Sequence, residues 1–322
     1  MRLSINEAME KAVAVLLASK TAPENARSVA HALVMAEADG LGGHGLMRLP
    51  FYAAQAKCGK IDGLARPEVT QRMASAIAVD AANGFAYPAI DLAVAELIAA
   101  TFKQGVAAVS VARSSHCGAM GLVVERLANH GLLALMFANT PGAMAVWGGK
   151  RALLGTNPIA CAFPRPSAPP VVIDLSLSKV ARGHIVAAKQ KGEKIPSDWA
   201  LDSEGRETDD PVAALSGTML PLGGAKGAAL ALMVEVFAAG LTGSHFAFEA
   251  SSFLDAQGPP PGTGQMMIAF NPISFGGSVK HIERIFLEAH GDHARLPGER
   301  RQQNRRRAEA EGLAVQEAWF PV

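Results

Sequence analysis

The sequence predicts an α/β protein in which helices at the amino terminus precede alternating strands and helices. Apolar residues recur at helical spacing through the first part of the chain, and from about residue 70 short apolar runs alternate with helical patterns. The dinucleotide-binding pattern Gly-x-Gly-x-x-Gly is absent from all 322 residues. A standard Rossmann nucleotide site is therefore disfavoured.

Two helices are predicted before Gly40. Ser4 to Glu7 and Thr21 to Glu24 both have the capping-box pattern, and apolar residues follow each at helical spacing. Gly40 ends the second helix and opens a glycine-rich segment that leads to Pro50. Pro50 must lie in the first turn of the next helix, because deeper inside a helix it would remove a backbone hydrogen bond.

Strands and helices alternate in the central part of the chain. The predicted strands span 76–79, 106–111, 132–137, 171–173 and 266–270, and the predicted helices span 88–103, 118–130 and 226–239. The last of these helices is apolar on all sides, which predicts a buried position. The segments 192–211 and 257–264 are rich in turn-forming residues and are expected to be loops.

Composition indicates a globular chain that acts on a small molecule or has a structural role. It is 49% hydrophobic and 18% charged, with a formal net charge of +1, which disfavours nucleic acid or an anionic membrane as a partner. No apolar run approaches the roughly 20 residues of a membrane helix. The start of the chain has no signal-peptide segment, so we expect a cytoplasmic protein. The scattered cysteines and histidines predict neither a disulfide framework nor a metal site.

The glycine-rich segment before Pro50 contains the main candidate for chemistry. His44 and Arg48 are one helical turn apart, a spacing that can place them side by side. Arg48 offers a bidentate fork for a carboxylate, and His44 can exchange a proton near neutral pH. A site that binds a small acid and protonates the adjacent atom needs such a pair. From these residues alone, a helix entry whose His and Arg only solvate a surface is an equal alternative.

Four further segments combine small and polar residues, and some of them lie at predicted strand ends or helix starts. They are Ser114 to Gly121, Gly155 to Pro158, Asp174 to Ser176 and Gly223 to Gly227. A helix start offers free N–H groups to a phosphate, and the end of a strand is a common site position in α/β proteins. Each segment also has an ordinary explanation as a turn, so each signal is weak by itself.

The order of these motifs resembles that of the type-2 malate/L-lactate dehydrogenase family, nicotinamide-dependent enzymes unrelated to the Rossmann lactate and malate dehydrogenases. The matching segments cover nearly the whole chain: His44 to Pro50, Ser114 to His116, Asn139 to Pro141, Trp147 to Gly149, Gly155 to Ala160, Asp174 to Ser176, Ala181 to Gly183, Gly223 to Gly227 and Arg295 to Gly298. Within the family, the chain is most similar to the Δ1-piperideine-2-carboxylate/Δ1-pyrroline-2-carboxylate reductases.

The resemblance implies a non-Rossmann malate/L-lactate dehydrogenase-like fold with the site in a cleft between two lobes. Residues 71–274 would form an α/β nicotinamide-binding domain with a largely antiparallel sheet. Residues 1–70 and 275–322 together would form a helical substrate and dimerisation domain. Family members are typically homodimers, which is the assembly expected here.

The resemblance also implies roles for individual residues. His44 would be the proton donor, and Arg48, Thr156 and Arg182 would contact the carboxylate substrate. The implied cofactor-binding residues are His116, Cys117, Gly118, Ala119, Met120, Asp174, Leu175, Ser176, Ala225, Lys226, Gly298, Arg300 and Arg301.

Two departures from the imine-reductase branch concern the catalytic histidine. In that branch a serine before the histidine and a distant aspartate form a proposed relay. Here Gly43 and His184 stand at those positions. The relay as described cannot operate in this chain, so another group must orient His44.

These roles predict an NADPH-dependent reductase that transfers a hydride to a small cyclic 2-imino acid, forming L-proline or L-pipecolate. The alternative is an NAD(P)-dependent 2-hydroxy acid dehydrogenase of the malate, lactate or ureidoglycolate type. Gly43 and His184 motivate a third hypothesis, an inactive family member with a binding or structural role. NADPH is preferred to NADH because the resembled branch uses it and because arginines near residue 300 could accept the 2′-phosphate. A solvated helix face is the other explanation of that cluster.

Overall fold

The structure is a computed structural model that describes residues 1–321, in which strands and helices alternate. The strands are β1 (Arg2–Leu3), β2 (Glu68–Arg72), β3 (Ala76–Asp80), β4 (Val106–Ser114), β5 (Leu133–Ala138), β6 (Ile159–Phe163), β7 (Val171–Leu175), β8 (Ala200–Leu201), β9 (Thr218–Met219), β10 (Thr263–Phe270) and β11 (Leu313–Ala314). The helices are α1 (Ile5–Leu17), α2 (Pro23–Ala38), α3 (Leu49–Cys58), α4 (Ala86–Gln104), α5 (Met120–Ala128), α6 (Arg182–Lys191), α7 (Pro211–Ser216), α8 (Ala225–Glu235), α9 (Val279–Gly291) and α10 (Glu299–Glu311).

A seven-stranded sheet has the order β2-β3-β4-β10-β5-β6-β7. β3 and β4 are parallel, with α4 as the crossover between them, and the other neighbouring strands of this sheet are antiparallel. The largely antiparallel α/β arrangement that the family resemblance implied is therefore confirmed.

Both faces of this sheet are covered by helices. Successive residues of a strand point to opposite faces, so neighbouring side chains belong to different cores. Met136 and Met267 pack with α4 and α5 on one face. Their neighbours Phe137 and Met266 pack on the other face, in a core to which α6 and α8 contribute. Both strands are thus packed on both faces, and the end of β5 lies beside the start of β10, where Ala138 pairs with Gln265.

The two ends of the chain meet in a helical layer beside the sheet. α1, α2 and α3 share a core with Ala308, Leu313 and Val315, and β1 pairs with β11. α2 also packs against α4, which joins this layer to the sheet. The helical layer thus contains residues from both termini, while the exact bounds of the two predicted domains stay a prediction.

Local signals at the amino terminus are confirmed in part. Ser4 caps α1 in a complete capping box, and Pro50 is in the first turn of α3, as predicted. The second capping box is wrong: Ala22, not Thr21, is the N-cap of α2, and no side chain caps it. Pro23 begins that helix and has no N–H group that would need a partner.

The predicted central strands and helices all overlap observed ones, whereas β2, β6, α6, α7, α9 and the two-residue strands were not predicted. The predicted burial of α8 is wrong. After Glu235 the helix widens into a π turn, Val236–Gly240. Leu230, Leu232 and Val236 along this helix are exposed to 44%, 49% and 54%. Among residues 1–321, none of the helices combines the length and apolar character needed to cross a bilayer.

Candidate active site

The segment that carries His44 and Arg48 forms two consecutive 3-10 turns in front of α3. Gly45 lies between the turns, where a Cβ would collide with the carboxylate of Glu37. That carboxylate accepts a hydrogen bond from the Leu46 backbone N–H at 3.0 Å, which fixes the second turn. His44 and Arg48 therefore lie at the junction of loop and helix, as the sequence predicts.

Arg48 is held by its own loop. Its Nε donates to the Gly43 carbonyl at 2.7 Å, and no other hydrogen bond of this guanidinium is found within residues 1–321. The two terminal nitrogens are thus available for a carboxylate, which a guanidinium binds in a bidentate manner. A Cβ at Gly43 would meet nothing within 4 Å, so the space beside this glycine is open.

The His44 ring stacks on His116, with centroids 5.5 Å apart and an interplanar angle of 15°. Part of the His44 ring is exposed, and the protein packed around the rest desolvates it. This desolvation, together with the nearby Arg48 charge, lowers the pKa of His44 to about 4. At neutral pH the imidazole is uncharged and can accept a proton.

Two buried tyrosines form a chain of hydrogen bonds that ends at His116. Tyr52 Oη lies 2.6 Å from His116 Nδ1 and 3.0 Å from Tyr87 Oη. Burial raises the pKa of Tyr52 to about 12, so it remains a hydroxyl. A Cβ at Gly118 would lie 2.5 Å from Tyr87 Oη, which leaves room only for glycine. This chain of hydrogen bonds fixes the His116 ring on which His44 stacks.

Sequence reasoning missed both tyrosines. The chain has only two of them, and Tyr52 lies one helical turn after Arg48. That spacing was an available signal, because residues so placed share a helix face.

Phe253 covers another side of His116, with ring centroids 5.1 Å apart. Its loop is anchored to α3 and the residues after it: Gln55 Nε2 donates to the Phe253 carbonyl at 3.1 Å, and Lys60 Nζ donates to the Ser252 carbonyl at 2.7 Å. The segment just before the predicted 257–264 loop therefore forms one side of the space around the imidazoles.

The start of α5 and the end of β7 meet beside His116. The Gly121 backbone N–H donates to Asp174 Oδ2 at 2.7 Å. Within residues 1–321, the N–H groups of Gly118 and Ala119 donate to no other residue. Free N–H groups at a helix start suit a phosphate, so this part of the predicted cofactor site fits a dinucleotide.

Other predicted site residues gather around the same end of β7. The Leu177 N–H donates to the Thr156 carbonyl, and the Leu222 N–H donates to the Leu177 carbonyl, both at 2.8 Å. These bonds place Thr156 and the segment before α8 beside Asp174 to Ser176. Ala225 and Lys226 are exposed in the first turn of α8, and Gly298 packs against Val172 of β7.

The two arginines of the predicted phosphate site differ. Arg301 is 8% exposed and lies 3.0 Å from Asp39 Oδ2 and 3.1 Å from Glu125 Oε2, and Arg305 binds the same two carboxylates. The charge of Arg301 is thus already neutralised inside the protein. Arg300 is exposed and makes no ion pair within residues 1–321, so it is the arginine with a charge free for a 2′-phosphate.

Arg182 and His184 are not joined to His44 by any contact within residues 1–321. Both are exposed on α6. Arg182 Nη2 donates to the Leu215 carbonyl at 3.4 Å, and the His184 ring meets Trp199 edge-on at 6.2 Å. The structure therefore brings His44, Arg48 and His116 together with the cofactor segments, and leaves the predicted substrate contact of Arg182 without structural support.

Comparison with known proteins gives matches along nearly the full length. A family model described as malate/L-lactate dehydrogenase matches residues 3–320. The (2R)-3-sulfolactate dehydrogenase (NADP(+)) of Chromohalobacter salexigens is 52% identical over 322 residues, covering 98% of this chain and 95% of that protein. The Δ1-pyrroline-2-carboxylate/Δ1-piperideine-2-carboxylate reductase of Pseudomonas putida is 39% identical over 306 residues, covering 91% and 87%.

Solved structures are similar over the same length. The Δ1-piperideine-2-carboxylate reductase from Pseudomonas syringae superimposes with a TM-score of 0.93 at 36% identity, covering 99% of this chain and 98% of that one. The sulfolactate dehydrogenase from Methanocaldococcus jannaschii gives a TM-score of 0.90 at 28% identity, covering 99% and 94%. The same fold thus occurs in proteins named for two different substrates.

Proposed function

The chain belongs to the malate/L-lactate dehydrogenase family of nicotinamide-dependent oxidoreductases, and we propose that it is an NADP(H)-dependent dehydrogenase of a small 2-hydroxy acid, of the 3-sulfolactate type. The observation that carries this proposal is Arg48, with two free terminal nitrogens, beside a neutral His44. A carboxylate clamp next to a proton acceptor is what oxidation of a 2-hydroxy acid requires. The relative at 52% identity, named for such a substrate, supports the same choice.

The proposed roles of the protein residues follow from their chemistry. A bound nicotinamide would supply the acceptor for the hydride that leaves substrate C2. Arg48 binds the substrate carboxylate through its terminal nitrogens and so fixes C2. His44 accepts the hydroxyl proton while the C–O bond becomes a carbonyl, and in the reverse direction it returns that proton to the carbonyl oxygen.

Substrate binding also changes the proton affinity of His44. The Arg48 charge is one of the two causes that lower the pKa of His44. Burial is the larger cause of the lowered pKa of His44, and the Arg48 charge is the smaller one. A carboxylate bound to Arg48 would offset the second cause, and would raise the pKa of His44 by that part alone. The proton acceptor is thereby brought nearer to the operating pH, where proton transfer in both directions is effective.

The cofactor proposal assigns phosphate contacts to the start of α5 and to the Ala225–Lys226 turn, with Asp174 to Ser176 and Gly298 as further contacts. Arg300 would bind the 2′-phosphate of NADPH, a cofactor supported by the name of the relative at 52% identity. The test is Arg300→Ala assayed with both cofactors. An unchanged preference for NADPH over NADH would remove Arg300 from the phosphate site.

Reduction of a cyclic 2-imino acid is the second candidate, which the sequence analysis placed first. The reductase at 39% identity and the solved reductase with a TM-score of 0.93 support it. The absence of a side chain at Gly43 and the position of His184 beside Trp199 oppose it, because the relay of that branch has no counterpart here. The relative at 52% identity therefore reverses the order of the two candidates.

One substrate panel distinguishes the candidates. Purified protein is incubated with NADP⁺ and (2R)-3-sulfolactate, malate or lactate, and separately with NADPH and Δ1-pyrroline-2-carboxylate, while absorbance of the reduced cofactor is followed. We expect the highest kcat/KM with the sulfonated hydroxy acid. A higher kcat/KM with the cyclic imine would replace the first candidate with the second, and turnover of none of them would support the inactive member.

A homodimer is proposed from the exposed apolar residues. Leu230 and Leu232 of α8 and Val236 at the start of the π turn are exposed, and so are Ile285 and Leu287 of α9. Apolar surface of this extent is typical of an interface between chains. Light scattering coupled to size-exclusion chromatography measures the molar mass, and a monomeric mass at micromolar concentration would contradict this assembly.

A further inference from the structure

Glu235 is a buried carboxylate that the proposed chemistry does not use. It is the last residue of α8 before the π turn and is 3% exposed. No Lys, Arg or His lies within ion-pair distance of it in residues 1–321. A buried charge without a cation is costly unless hydrogen bonds replace the lost water, so the groups that donate to Glu235 are informative.

Donors from three separate loops converge on this carboxylate. Asn139 Nδ2 donates to Oε1 at 3.1 Å, and the Ala247 backbone N–H donates to the same oxygen at 2.7 Å. Asn157 Nδ2 donates to Oε2 at 2.7 Å. Hydrogen bonds to a charged acceptor are stronger than neutral ones, so Glu235 ties together the loop after β5, the loop before β6 and the loop before β10.

Each asparagine that binds Glu235 is the chain neighbour of a threonine, and the two threonines contact each other. The Thr156 N–H donates to Thr140 Oγ1 at 2.9 Å, and the two hydroxyl oxygens are 3.3 Å apart. Both threonines are partly exposed, whereas Asn139 and Asn157 are buried. The buried Glu235 carboxylate thus binds the two asparagines, and their threonine neighbours place a pair of hydroxyls at the surface beside Asp174 to Ser176.

The backbone between these residues is strained, which a merely connecting loop does not require. Asn157 has a φ of +37°, a value unusual for a residue with a side chain. At Gly155 a Cβ would collide with the Thr140 carbonyl. Strain of this kind persists only where surrounding contacts over-determine the conformation, and it concentrates at functional sites.

We propose that Glu235 is a positioning residue for the substrate, which holds the Thr140–Thr156 hydroxyl pair in place through Asn139 and Asn157. This role rests on the proposed function, in which Thr156 contacts the substrate. Glutamine is the informative replacement, because its amide NH₂ would face donors where Glu235 offers an acceptor. The loops then lose one of their anchors while the volume of the side chain is kept.

The test compares E235Q, T156A and the double variant with the wild-type enzyme. A displaced substrate contact of about 1 Å can cost about 100-fold, so E235Q is expected to lower kcat/KM by about 10- to 100-fold, with KM raised and the Kd for NADPH unchanged. If Glu235 acts through Thr156, the double variant is no worse than T156A, within about twofold. Full additivity of the two losses, or wild-type kcat/KM in E235Q, would overturn the positioning role.

A matched control and a second measurement separate this outcome from general damage. Glu283→Gln removes another largely buried carboxylate, which lies on α9 and pairs with Arg165. This variant is expected to keep the wild-type kcat/KM. An equal loss in this control would mean that any buried carboxylate matters, and the specific role would fall. Absence of turnover by the wild-type protein would instead overturn the proposed function. Hydrogen exchange of residues 139–142, 155–157 and 245–247 then still reports on Glu235, since E235Q must lower protection in all three.

Discussion

Replacing Arg48 by lysine tests the proposed carboxylate clamp while keeping its positive charge. In the structure, Arg48 Nε is already used by the Gly43 carbonyl, so two terminal nitrogens remain for the substrate. A lysine has one amino group for both tasks. It can stabilise the loop or bind one carboxylate oxygen, but it cannot reproduce the planar fork.

The magnitude follows from the number of bonds that are lost. A hydrogen bond that involves a charged group contributes about 1.5–3 kcal/mol. Lysine keeps at most one of the two bonds to the carboxylate, so R48K is expected to lose that amount once. Since 1.4 kcal/mol corresponds to a factor of ten, kcat/KM falls about 10- to 150-fold. Alanine removes both bonds and is expected to cost about 3–6 kcal/mol, or roughly 10²- to 10⁴-fold.

Steady-state kinetics with the best substrate of the panel measures this change, and KM shows whether the clamp acts in the ground state. The matched control is Arg66→Lys, the same substitution at an exposed arginine outside the site. Wild-type kcat/KM in R48K would refute the clamp. A loss in R48K that R66K shares would indicate a general effect of the substitution.

Three further predictions concern proton transfer and stability. Tyr52→Phe removes the hydroxyl that lies 2.6 Å from His116 Nδ1. The loss of one hydrogen bond, about 1.4 kcal/mol, is expected to lower kcat about tenfold, and an unchanged kcat would contradict the orienting role. Because the pKa of His44 is lowered to about 4, His44 is neutral in the free enzyme above that pH. For oxidation, kcat/KM should therefore stay constant from pH 8 to about 5 and fall at lower pH. A decrease in kcat/KM that begins near pH 6.5 would contradict this. Asp39→Ala leaves Arg301 and Arg305 with Glu125 as their one shared carboxylate, so one positive charge inside the protein loses its partner. Denaturant unfolding should show a loss of about 3–5 kcal/mol, and a loss below about 1 kcal/mol would mean that water replaces the carboxylate.

Local sequence signals predicted local structure where a few adjacent residues decide it. The capping box at Ser4 and the place of Pro50 depend on hydrogen bonds within one turn, and both are confirmed. The same reasoning failed at Thr21, because Pro23 starts the helix without a side-chain cap. For α8 the apolar pattern indicated burial, but a pattern does not tell whether another element covers each side of a helix.

The candidate site could be predicted as far as its residues are neighbours in sequence. His44 and Arg48 stand out together, whereas the partners that shape the site come from distant positions. Tyr52 and His116 are 64 residues apart, and Asn157 and Glu235 are 78 apart. No spacing rule links such pairs, since the contact exists only once the sheet and the helices have packed.

The orientation of His44, the proposed proton acceptor, was the main question that the sequence raised, and the structure shows a stacked imidazole in place of a serine–aspartate relay. Stacking on His116, itself fixed by two tyrosine hydroxyls, restrains the plane of His44 without a carboxylate partner. A carboxylate beside His44 would raise its pKa permanently, whereas in the proposed mechanism the substrate's own carboxylate, bound to Arg48, would offset the smaller of the two causes that lower it. Proton affinity is therefore coupled to the correct substrate. An ester or amide of the same hydroxy acid would leave the Arg48 charge in place, so the proposed mechanism requires an acid as substrate for efficient proton transfer.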